Sequence, residues 1–117
     1  MRRSIVEALE RESDLAVCGQ ADDAREALAA IASLQPDLVL TDIQLKSSSG
    51  LDLIKTLRAQ SSALPIVATT MFDVRRTERL ARAAGASGFA SKEDGPEKLI
   101  ATVHEALKTG KGPDEIN

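Results

Sequence analysis

Apolar residues along the chain alternate between two spacings. Met1, Ile5 and Leu9 recur every four residues with Arg2, Arg3, Glu7, Glu10 and Arg11 between them, the pattern of an amphipathic helix that starts at the first residue. Ser13-Asp14 breaks it, and Leu15-Ala16-Val17-Cys18 before Gly19 reads as a short strand. Asp22 is placed to cap a second helix from Asp23 to about Leu34, with Leu28, Ile31 and Leu34 inward, and Pro36 stops it. Leu38-Val39-Leu40-Thr41 is apolar or β-branched without alternation, as suits a parallel strand covered on both faces. A third helix runs from Leu51 to about Ala59, a strand spans Ile66 to Thr70, and a fourth helix runs from about Val74 to Ala84, capped by Gly85. Ser87 to Ser91 is the next strand. Gly95-Pro96 opens the last helix, with Leu99, Ile100, Val103 and Leu107 on its inner face and Gly110 closing it. The order predicts one α/β domain over residues 1–110, its parallel sheet covered by helices on both faces, and a loosely held tail over 111–117.

Composition changes this picture little. The chain has 117 residues, of which 43% are hydrophobic and 28% charged, the balance of a soluble domain large enough to bury a core. The net charge of -3 argues against a direct nucleic-acid surface, and the two aromatics, Phe72 and Phe89, are too few for a base-stacking platform. The single cysteine, Cys18, excludes an intrachain disulfide and reads as a buried thiol in a reducing, cytoplasmic setting. No apolar run is long enough to span a membrane.

The chemistry gathers at strand ends. Asp42 follows its strand directly, and a carboxylate there either caps the next turn or faces a ligand at the carboxyl edge of the sheet. Parallel strands bring Thr70 and Lys92 to the same edge. A carboxylate, a hydroxyl and an ammonium from separate βα units suit capture of a phosphoryl group as an aspartyl-phosphate, with the lysine and threonine bonding its oxygens. Taken singly, Thr70 is an ordinary β-branched strand residue and Lys92 a solvated loop lysine. No nucleophile–base pair or phosphate-cradling glycine loop is present, and His104 stands on the last helix without an evident partner, so an independent enzyme is not expected.

These residues lie in stretches that resemble the receiver domain of bacterial response regulators (CheY-like), in the branch whose members carry a LuxR/NarL-type helix-turn-helix. The resemblance is carried by Ala24-Arg25-Glu26-Ala27-Leu28, Gln35 to Ile43, Ser49-Gly50-Leu51-Asp52-Leu53-Ile54, Leu64-Pro65-Ile66-Val67, Ala83 to Phe89, and Ser91-Lys92. It implies a flavodoxin-like doubly wound sheet, Asp42 as phospho-acceptor, Thr70 as switch hydroxyl, Lys92 as the paired lysine and Phe89 as switch aromatic. It also implies a two-component phosphorelay: a phosphoprotein charged by a sensor histidine kinase or small phosphodonor, serving signal transduction and transcription regulation.

Departures from that pattern set further expectations. Family members open with an apolar strand ending in an acidic pair that holds Mg²⁺, whereas Met1-Arg2-Arg3-Ser4-Ile5 already reads as the helix that follows it. The resemblance then leaves Asp42 and the Gln44 backbone carbonyl as an incomplete Mg²⁺ site, weak or lost; Asp22-Asp23 is a replacement pair only if its strand lies against that of Asp42. Lys46 stands where the family usually has proline. A sheet without its central strand exposes backbone groups, which either the neighbouring strand closes over or a second chain covers, so homodimerisation or other self-association is expected. Two functions follow: a phosphorylatable receiver, with Arg75, Arg76, Arg79 and Arg82 on its output face, or a phosphorylation-independent pseudo-receiver that binds or dimerises.

Overall fold

The computed structural model describes residues 2–44, 49–60, 63–70 and 74–116. Val39–Asp42 (β1), Ile66–Thr70 (β2) and Gly88–Ser91 (β3) form the strands. They pair in parallel in the order β1-β2-β3, with Val39 opposite Ile66, Asp42 opposite Thr69 and Thr70 opposite Ser91. Every residue of β2 and β3 is buried, as unalternating apolar runs require of strands covered on two faces.

The helices among the described residues are α1 (Arg2–Glu10), α2 (Ala24–Leu34), α3 (Gly50–Gln60), α4 (Val74–Ala84) and α5 (Pro96–Ile116), with a 3₁₀ turn at Lys92–Asp94. Leu53, Ile54 and Leu57 of α3 and Ala81 and Ala84 of α4 pack with Val39, Ile66, Ala68 and Phe89 on one face of the sheet; Ala27, Leu28 and Ile31 of α2 flank them. Leu99, Val103 and Ala106 of α5 pack with Val67 and Ala90 on the other face, joined by Ile5 and Leu9 of α1. This is the doubly wound arrangement that the alternation of spacings predicts.

Five local expectations are corrected. Leu15–Cys18 forms no strand; Leu15 and Val17 are half-buried and Ala16 and Cys18 exposed. Alternation makes a chain extended, but a strand also needs a neighbour's backbone to bond. Among the described residues β1 ladders only with β2, so this segment does not close over its other edge. Cys18 is accordingly an exposed thiol rather than a buried one. The cap of α2 is Asp23, not Asp22: its side chain accepts the Glu26 N–H at 2.9 Å, while the Glu26 carboxylate accepts the Asp22 N–H at 3.0 Å. Leu34, expected inside, is 48% exposed, because α2 ends at this residue and turns away through Gln35 in the left-handed region (φ 48°). The last helix continues through Gly110 to Ile116. Glycine lowers helix propensity by about 1 kcal/mol, which weakens a running helix without ending it.

One clamp was not foreseen. The Arg58 guanidinium of α3 donates to the Gly85 carbonyl from Nε (2.9 Å) and Nη2 (2.7 Å) and to Ser87 Oγ at 3.2 Å. The same hydroxyl accepts the Ile66 N–H at 3.1 Å. The α4–β3 turn is thereby tied to the start of β2. Gly85 (φ +124°) supports the turn, donating to Arg82 while the Ala86 N–H reaches back to Ala81, the doubly bonded helix end that favours glycine. Arg58→Ala is expected to lower stability in urea unfolding by about 2 kcal/mol. Arg58→Lys should recover only part of that, since an ammonium does not reproduce the planar fork.

Candidate functional site

Asp42 ends β1 where the strand leaves the sheet, and Lys92 follows β3 at the same edge. Fifty positions apart in sequence, they meet: Lys92 Nζ lies 2.5 Å from Asp42 Oδ2. The lysine side chain is 11% exposed and the aspartate 36%, so the ammonium is held from below while the carboxylate keeps a face open to solvent. Ser91 fixes the lysine's backbone by accepting the Glu93 N–H on its hydroxyl at 3.2 Å, which starts the 3₁₀ turn.

The other carboxylate oxygen is met by a residue the sequence reading passed over. Thr69 Oγ1 donates to Asp42 Oδ1 at 3.2 Å, and Thr69 is 3% exposed. Its position follows from register, since Asp42 and Thr69 are opposite one another and their side chains share a face. Thr70, the expected hydroxyl, stands at the same strand end and is buried; by alternation it lies on the face of Ile66 and Ala68. Phe89 is on that face too, buried against the α3 and α4 side of the core. The structure thus joins Asp42 and Lys92, adds Thr69, and groups Thr70 with Phe89 across the sheet.

The loop after Asp42 folds back over the strand end. Ile43 donates to the Thr69 carbonyl at 2.9 Å and accepts the Gly50 N–H at 2.8 Å, and Gln44 bridges to Ser49. Ser49 Oγ then accepts the Leu51 and Asp52 N–H groups at 3.2 and 3.4 Å, opening α3. Lys46 lies outside the described residues.

Among the described residues, those at the strand end do not assemble the acidic set of the divalent-cation site that the resemblance implies. Among the described residues, no group of three ligating side chains includes Asp42. Asp23 is engaged as the cap of α2, on a segment that does not pair with β1. What remains is one carboxylate, already bonded to an ammonium and a hydroxyl, and the Gln44 carbonyl.

Comparison with known proteins gives one consistent result. The family model described as the response regulator receiver domain matches residues 1–104. Over 111 residues the chain is 30% identical to the nitrate/nitrite response regulator protein NarP of Escherichia coli, covering 95% of this chain and 52% of that protein. Among solved structures it is similar to a LuxR-family two-component response regulator from Aurantimonas sp. SI85-9A1, with a TM-score of 0.87 and 29% identity over 92% of this chain and 77% of that one. The receiver domain of NtrX from Brucella abortus gives 0.84 and 33%, over 92% and 90% of the two chains. The chain spans about half the length of the curated relatives it matches first.

Proposed function

The chain belongs to the response regulator receiver domain family of two-component systems, and from that premise we propose that Asp42 is where it takes up a phosphoryl group. The observation that carries the reading is the Asp42–Lys92 contact: a carboxylate open to solvent, backed by a nearly buried ammonium, at the carboxyl edge of a parallel sheet. A carboxylate oxygen attacks the phosphorus of a phosphohistidine or small acyl phosphate. The new P–O bond forms as the bond to the donor breaks, and the donor leaves with that electron pair. The adduct carries more negative charge than the carboxylate did, and Lys92 offsets it by moving from Asp42 to a phosphoryl oxygen. Thr69 or Thr70 donates to another, and Thr70 with Phe89, on one face, carries the change toward α4.

The remaining assignments are part of the same proposal. Residues 1–110 act as the receiver and Asp42 as an acceptor rather than a general catalyst, although one relative is a protein-glutamate methylesterase. Mg²⁺ binding is weak with the carboxylates described. A histidine kinase and a second receiver are the expected partners, and DNA contact is left to other domains. None of the described helices is long and apolar enough to cross a membrane, which suits a cytoplasmic signalling role. The phosphorylation-independent alternative is not favoured by relatives that are response regulators along most of this chain.

Incubation with acetyl phosphate and Mg²⁺ followed by intact mass measurement tests the reading. One added phosphoryl group is expected on the native chain and none on Asp42→Asn. Uptake that survives in Asp42→Asn, or no uptake by the native chain at any Mg²⁺ concentration, overturns it.

A further inference from the structure

His104, read from sequence as unpartnered, is not alone. Its Nε2 lies 3.2–3.3 Å from the two carboxylate oxygens of Asp14, ninety positions earlier in the chain. Glu12 joins them, so that one ligating atom from each of Glu12, Asp14 and His104 lies within 4.8 Å of the others. None of the three belongs to the strand-end site. The turn after α1 and the helix α5 that carry them are brought together by burial rather than by these polar groups: Ile5 and Leu9 of α1, Leu15 at the end of the turn, and Val103, Ala106 and Leu107 of α5 share one apolar cluster. The turn from Arg11 to Leu15 is itself bonded, Arg11 to Glu7, Glu12 to Leu9 and Leu15 to Glu12. The donor atoms are therefore brought together on a framework that does not depend on them.

We propose that Glu12, Asp14 and His104 form a binding site for Zn²⁺, with water completing the coordination, which pins the turn after α1 to α5. The donor set selects the ion. One imidazole nitrogen with two carboxylates suits a borderline first-row cation, whereas Mg²⁺ prefers six oxygens in strict octahedral geometry. Bonds of about 2.0–2.2 Å in a tetrahedron set neighbouring ligand atoms roughly 3.3–3.6 Å apart. The His104–Asp14 separation already matches such an edge, and Glu12 needs only a side-chain adjustment to supply the third. The competing arrangement is a plain surface pair of Asp14 with protonated His104, and zinc titration separates the two.

The test uses the whole chain with Cys18→Ser throughout, because that exposed thiol is itself a zinc ligand, and with excess Mg²⁺ in the buffer to occupy any oxygen site at Asp42. Isothermal titration with ZnCl₂ is expected to give one ion per chain, and the thermal midpoint should rise with zinc concentration. His104→Ala should weaken zinc binding by roughly tenfold or more. The double variant Glu12→Gln, Asp14→Asn keeps the side-chain shapes and should do the same, with its midpoint in the absence of zinc unchanged. Absence of saturable uptake by the Cys18→Ser chain overturns the proposal. So does equal affinity in that chain and either variant. Phosphoryl uptake at Asp42 is not a readout here, so this result and that of the acetyl phosphate experiment stand separately.

Discussion

Lys92→Gln is expected to take up phosphoryl from acetyl phosphate about 10²–10³-fold more slowly than the native chain while remaining folded. The size follows from where the charge lies. Glutamine keeps most of the side-chain volume in a position that is only 11% exposed, so the packing around it changes little. It removes the ammonium shown on Asp42, however, and among the described residues the negative charge gathering on the phosphoryl oxygens is then met by hydroxyl and amide dipoles. A partly buried counter-charge stabilises such an adduct more than a surface one, because the surroundings screen it less. The ground state, by contrast, loses little: Asp42 is 36% exposed and stays solvated after its partner is gone. The variant should therefore lose rate without a comparable loss of thermal midpoint. Intact mass followed over time against circular dichroism melting separates the two quantities. Unchanged uptake would remove Lys92 from the site.

How far the site could be read from the chain follows from this pairing. Asp42 and Lys92 each stand at the end of a segment read as a strand, and parallel strands have one carboxyl edge, so topology brings both to the same edge. Thr69 and Thr70 could not be told apart in the same way. They are adjacent and identical, and which one faces Asp42 depends on register, which a shift of one residue inverts. The missed Glu12–Asp14–His104 group has the same origin. Nothing local links a turn at position 14 to a helix at position 104; the link is the shared apolar face of α1 and α5. Helices were legible because their spacing is internal to each segment, whereas Leu15–Cys18 failed as a strand because a strand is a property of two segments.

Gly50→Ala is expected to be among the most damaging single-atom additions to this chain. Gly50 begins α3, and its N–H donates to the Ile43 carbonyl at 2.8 Å, drawing the helix start against the end of β1. A Cβ placed there would lie 2.0 Å from the Asp42 carbonyl oxygen and 2.8 Å from both the Cα and the carbonyl oxygen of Ile43. All three neighbours are backbone, so no side chain can rotate away, and relief requires the helix start to separate from the strand. Overpacking of a tight site costs about 1–3 kcal/mol, and an obstacle made only of main chain belongs at the upper end, a fall of roughly 10 °C in the thermal midpoint for a domain of this size. The strand residue displaced is Asp42 itself, whose carboxylate must keep its distances to Lys92 and Thr69. Phosphoryl uptake should therefore fall even at temperatures where Gly50→Ala is fully folded. Asp52→Ala, two residues along the same helix on an exposed position, should alter neither quantity appreciably and serves as the comparison. A melting curve for Gly50→Ala that overlays the native one would mean that the helix start and the strand end are not in contact as described.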